Sequence, residues 1–137
     1  MRRLLMALAM TGALLAANGC TPTTTVTANP STTKPACKAI TTVTGKVTPP
    51  GTITRADLEV QKNGKWESFY WFTDTTGGRT DISAAVSKTT GNYSMQYLAP
   101  TPQFWPATIR LRVRVHNLRA KIDTVSTSWY VTYPKSC

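Results

Sequence analysis

The stretch Thr108-Ile109-Arg110-Leu111-Arg112-Val113-Arg114-Val115-His116-Asn117 decides the fold class of this 137-residue chain. Apolar and charged residues alternate strictly along it, and a period of two belongs to a β-strand. Ile109, Leu111, Val113 and Val115 fall on one face, and Arg110, Arg112, Arg114 and His116 on the other. The register follows, because a slip of one residue would bury three arginines. Such a strand belongs to an antiparallel sheet packed on one face and solvated on the other.

From Cys37 onward the rest of the chain has the same texture. Short runs rich in Val, Ile, Thr, Tyr and Trp predict strands at 40–47, 57–62, 66–73, 82–87, 93–98, 108–117 and 128–133. Between them stand turn signals: Pro49-Pro50-Gly51, Gly77-Gly78, Gly91-Asn92 and the segment from Pro100 to Pro106. Asn63-Gly64 between two β-rich runs marks a two-residue hairpin. No stretch shows helical periodicity. Seven short strands over roughly 100 residues predict one all-β domain, a two-sheet antiparallel sandwich.

The N-terminal part is different in kind. Met1-Arg2-Arg3 precedes a 14-residue apolar run, Leu4 to Ala17, too short to span a bilayer comfortably and suited to a signal peptide. The following Ala17-Asn18-Gly19-Cys20 resembles the lipobox of bacterial lipoproteins, in which the cysteine thiol takes diacylglycerol and becomes the first residue. Gly19 and Cys20 match that pattern, whereas Ala17 and Asn18 depart from it. Simple cleavage after Gly19, with release of a secreted protein, is the alternative. Residues 1–19 are therefore read as a signal peptide, and 20–36 as a lipidated Cys20 and a tether. From Thr21 to Pro35 there are seven Thr, three Pro and no aromatic residue, a composition that cannot bury enough surface to order itself. Stretched, it would hold the domain ~30–45 Å from a membrane.

Cysteine parity supports this division. Of three cysteines, lipidation removes Cys20 and leaves Cys37 and Cys137 as an even pair in an oxidising compartment. A bridge between them would close the two ends of the domain at 37–137.

The domain also carries a resemblance. Val43-Thr44-Gly45-Lys46-Val47-Thr48-Pro49, Leu58 to Trp66, Thr89-Thr90-Gly91-Asn92-Tyr93-Ser94, and Arg110 to Val115 followed by Ser126-Thr127-Ser128 and Val131 together resemble Ig-like or fibronectin type III-like modules of secreted actinobacterial proteins. Gly45 and the Gly91-Asn92-Tyr93 turn are similar also to transthyretin-like and Cna-B-like modules. The resemblance implies an Ig-like β-sandwich of about seven strands in an adhesion, spacer or binding role. It implies no cofactor.

The catalytic inventory is thin. His116 is the single histidine and continues the arginine face, with no His or Cys at metal-ligand spacing. Asp123 lies close in sequence, but no Gly-x-Ser-x-Gly elbow accompanies it. Asp74 and Asp81 around Gly77-Gly78 are too few acids for calcium. The candidate binding residues are Arg110, Arg112 and Arg114, with Trp71 and Trp105 as aromatic platforms. The ladder's mutual repulsion requires carboxylates or an anionic ligand, and Glu59 and Glu67 are the nearest candidates. Formal charge is +10, and +8 without Arg2 and Arg3. It favours anionic wall polymer, lipid head groups or an envelope protein, and an exported location argues against nucleic acid.

The expectation is a non-catalytic interaction lipoprotein, anchored on the outer face of the cell membrane. A small envelope enzyme or metal carrier is the first alternative. An exclusion lipoprotein of phage or prophage origin is the second.

Overall fold

The computed structural model describes residues 23–72, 79–98 and 106–136. Among them are eleven strands: β1 Thr25–Pro30, β2 Ile40–Thr48, β3 Arg55–Lys62, β4 Lys65–Ser68, β5 Tyr70–Phe72, β6 Arg79–Asp81, β7 Ser83–Ala85, β8 Asn92–Leu98, β9 Thr108–Asn117, β10 Ile122–Val125 and β11 Trp129–Thr132. The all-β sandwich expected from the alternation is the observed class. One sheet, A, has the order β1-β2-β8. The other, B, has the order β10-β9-β3-β4, with β11 also on β9 and β7 also on β3. Strands β5 and β6 form a separate two-stranded ribbon. Every pairing is antiparallel.

Strand β9 organises sheet B as its alternation requires. Ile109, Leu111, Val113 and Val115 are buried. At about 1.5–3 kcal/mol for each buried side chain, that row contributes an upper estimate of roughly 6–12 kcal/mol. Such a sum is comparable to the whole net stability of a small domain, so the register cannot slip. Ala56, Leu58 and Val60 of β3 extend the layer. Val43 and Val47 of β2, with Tyr93, Met95 and Tyr97 of β8, close it from sheet A. Phe69 meets Tyr97 edge-on, ring centroids 5.7 Å apart. Burial pushes the Tyr97 and Tyr133 hydroxyls above the ordinary phenol range.

Asn63 and Gly64 both have positive φ, 51° and 76°, and close the β3–β4 hairpin. Gly45 is required by close approach: a Cβ there would lie 2.0 Å from the Thr27 carbonyl oxygen and 2.2 Å from the Tyr93 hydroxyl oxygen. The Tyr93 ring occupies that space, and its hydroxyl donates to the Thr27 carbonyl.

Three expectations need correction. The segment read as a tether contains β1, paired with β2 from Thr25↔Thr48 to Pro30↔Val43. Val26 is buried in the core. Backbone pairing along an existing sheet edge, plus one inward valine, orders a segment whose composition looks unstructured. The run at 66–73 is not one strand, and Thr73 lies outside the described residues. At Phe69 the chain leaves β3: Phe69 N–H donates to the Leu58 carbonyl, and the Phe69 carbonyl accepts from Ile82 N–H. The chain then forms the separate β5–β6 ribbon, and β7 pairs with β3 at Arg55–Asp57. The run at 82–87 correspondingly shortens to β7. Strands β2 and β11 belong to opposite sheets. The segment between β1 and β2 nevertheless meets β11, through Thr132 N–H donating to the Thr33 carbonyl.

Candidate binding surface

The outer face of sheet B carries the chain's concentrated charge. Strand pairing puts Glu59 opposite Arg112 and Asp57 opposite Arg114, and β10 puts Asp123 opposite His116. Glu59 is the exception to the rule that carboxylates stay in water, being only 7% exposed. Arg112 Nε donates to Glu59 Oε1 at 2.9 Å, and Arg114 Nε approaches Glu59 Oε2 at 3.4 Å. Each oxygen of the buried carboxylate thus faces a guanidinium. Arg114 also lies 4.0 Å from Asp57 and 3.3 Å from Asp123. Arg55 Nε donates to Asp57 at 2.7 Å. Of the two glutamates expected to answer the ladder, Glu59 does so, whereas Glu67 lies 3.7 Å from Lys62.

Arg110 is treated differently. Its Nε donates to Ser128 Oγ at 2.8 Å. Its guanidinium carbon stands 5.8 Å from the Trp66 ring centroid and 5.4 Å from that of Tyr130. Arg112 shares the Trp66 ring at 4.2 Å. Among the described residues no carboxylate lies within ion-pair distance of Arg110.

A one-residue bulge builds this arrangement. Val125 pairs with Arg114 and Trp129 with Leu111, so three residues on the β10–β11 edge face two on β9. Ser126 fills the gap. Its N–H donates to the Val113 carbonyl at 2.8 Å, and its Oγ accepts from Val113 N–H at 2.9 Å. The extra residue switches the phase of the edge. Asp123 and Val125 face outward before it; Trp129 and Val131 pack inward after it, and Tyr130 lies 63% exposed beside Arg110. Without the bulge Tyr130 would point into the sandwich.

At the other end of the face lies an open cleft of about 380 Å³, lined by Arg55, Asp57, Ser68, Asp81, Arg114 and His116 among others. His116 Nδ1 is 2.6 Å from Asp123 Oδ1. That hydrogen bond, followed by Arg114, holds the Asp123 carboxyl below the usual carboxylate range. Among the described residues no Ser or Thr hydroxyl is hydrogen-bonded to His116, and no three metal-ligating side chains gather.

The structure brings Arg110, Arg112 and Arg114 onto one face, as the alternation requires. Trp71 lies in β5, apart from them, and its side chain falls outside the described residues, as do Cys20, Trp105 and Cys137. Cys37 Sγ lies 3.3 Å from the carbonyl oxygen of Ser136, next to Cys137 in sequence. Sequence reasoning missed Tyr130, Ser128 and Asp57 as parts of this face. The first two depend on the bulge, which alternation alone does not reveal. Asp57 was legible, standing two residues before Glu59 on the same face of β3. No protein family and no curated protein matches the chain.

Proposed function

We propose that the chain is an exported, lipid-anchored module that binds an anionic envelope polymer through the outer face of sheet B. The observation that carries the reading is Arg110: a guanidinium framed by Trp66 and Tyr130, with no carboxylate partner, beside two arginines already engaged by Glu59. Phosphate or carboxylate groups can take the guanidinium's remaining donors, while the rings pack against the polymer's sugar or polyol carbons. Purified anionic wall polymer should retain the protein in a salt-sensitive manner, and Arg110→Gln should abolish most retention. Equal retention of both proteins would overturn the reading.

The Ig-like assignment is supported by strand order. Strands β1, β2 and β8 correspond to A, B and E, and the series β10/β11, β9, β3, β4 corresponds to G, F, C and C′. Anchoring at Cys20 is supported by the sequence of residues 1–20 and is tested by mass spectrometry of the membrane fraction. A diacylated N-terminal Cys20 is expected; an unmodified chain in the medium would refute it. A Cys37–Cys137 bridge is supported by the nearness of Ser136 to Cys37. Non-reducing peptide mapping tests it.

One observation favours the enzymatic alternative, the His116–Asp123 pair at the edge of a polar cleft. A hydrolytic activity lost in His116→Gln but retained in Arg110→Gln would establish it.

A further inference from the structure

Three loops meet at one end of the sandwich. Residues 49–54 touch residues 87–91, since a Cβ on Gly91 would lie 3.5 Å from Pro50 Cβ, and one on Gly51 would lie 3.7 Å from the Lys88 carbonyl oxygen. The β9–β10 turn joins them where Asn117 Nδ2 stands 3.5 Å from Thr52 Oγ1. The chain enters at the same end, because Asn117 Nδ2 also lies 3.3 Å from Thr24 Oγ1.

This end is both apolar and basic. Leu118, in the β9–β10 turn, and Ile122, the first residue of β10, are 63% and 61% exposed. Around them stand Lys88, Arg119 and Lys121, all exposed, and residues 49–54, 87–91 and 117–121 contain no Asp or Glu. Arg119 and Ile122 also line a groove of about 610 Å³ with Thr23 and Thr24.

Chain length fixes what this end faces. If Cys20 carries lipid, three residue steps separate it from Thr23, which reach at most about 11 Å even fully extended. The domain cannot stand off the membrane, since β1 has taken up the residues a tether would need. We propose that this end of the sandwich docks on the anionic bilayer surface, with Leu118 and Ile122 at the acyl boundary and Lys88, Arg119 and Lys121 on acidic head groups. The proposal rests on anchoring at Cys20 for its geometry, but the docking surface itself does not require lipidation. Both sheets then stand on end, and the Arg110 face looks sideways, along the membrane.

The test uses the exported chain, residues 20–137. With lipidated protein in phosphatidylglycerol-containing vesicles, hydrogen exchange at residues 118–122 should slow about fivefold or more relative to detergent micelles. The slowing should disappear in Leu118→Ser/Ile122→Ser, while the lipid stays attached. Unlipidated chain should float with phosphatidylglycerol vesicles, and Arg119→Gln/Lys121→Gln should weaken that partition by roughly 25-fold. Flotation without a lipid on the native protein would refute anchoring and retain the docking surface. Unchanged exchange in vesicles, or protection appearing instead at Ile40 and Leu98 at the opposite end of sheet A, would overturn the proposal.

Discussion

Arg112 and Arg110 are neighbours on one face of one strand, yet they have opposite surroundings. Arg112 is tied to a buried carboxylate at 2.9 Å, with Arg114 on the other oxygen of the same group. Arg110 has two aromatic rings and a serine hydroxyl instead. The same residue type, two positions apart, is a structural element in one case and an available cation in the other. A like-charge ladder is therefore not a uniform surface: one buried Glu59 neutralises part of it, and the part beyond its reach is left for a ligand. Charge patterning by itself cannot distinguish the two.

The largest effect should come from the closed half. Glu59→Gln keeps the shape but leaves Arg112 and Arg114 facing a neutral amide, and should lower stability by about 2–3 kcal/mol, the scale of hydrogen bonds to charged groups. Urea unfolding measures it, and a loss under about 0.5 kcal/mol would show that water already screens the pairs. Next comes Ser126→Ala, which leaves the buried Val113 N–H without its acceptor. The expected cost is about 1–2 kcal/mol. Because the bulge seats Ser128 and Tyr130 around Arg110, polymer retention should fall as well; unaltered retention would separate bulge from binding.

Arg110→Gln should be nearly silent in stability, within about 0.5–1 kcal/mol for the lost ring contacts. Its effect should appear in retention alone, the reverse of Glu59→Gln. A stability loss as large as that of Glu59→Gln would erase the distinction between the two halves. The smallest effect concerns Asp123. Its folded carboxyl titrates lower than in the unfolded chain, so its contribution is present at neutral pH and is lost as pH falls below about 4. The Asp123 side chain is about half exposed and solvent screens it, so the effect is slight. Thermal melts of Asp123→Asn and the parent should differ at pH 6 and converge toward pH 2.

How much was legible in the sequence varies with where the information resides. Strand β9 was readable because its alternation is strong and both outcomes, arginine out and valine in, agree. The Asn63-Gly64 hairpin was readable because a two-residue turn with positive φ at both positions demands those residues. Strand β1 was not: Thr25-Val26-Thr27-Ala28-Asn29-Pro30 offers only Val26 and Ala28 at a spacing of two, and its order comes from pairing with β2. Strand β10 hid for the opposite reason, because Ile122 and Val125 suggest burial and are exposed. The candidate site was legible in its arginines and in Glu59. It was illegible in its aromatic half, since one bulge decides which side of the sheet Tyr130 occupies.

The pairing of β3 with β9 has a consequence in time. Leu58 sits opposite Val113, more than a third of the chain away, and β2 must find β8 across a comparable gap. Contacts so distant in sequence form only after large loops close, which places such topologies among the slow folders, in milliseconds to seconds rather than microseconds. A chain exported as proposed must cross the membrane before it collapses. The loop that separates the two central strands of sheet B supplies a delay that a locally paired fold of equal stability would lack.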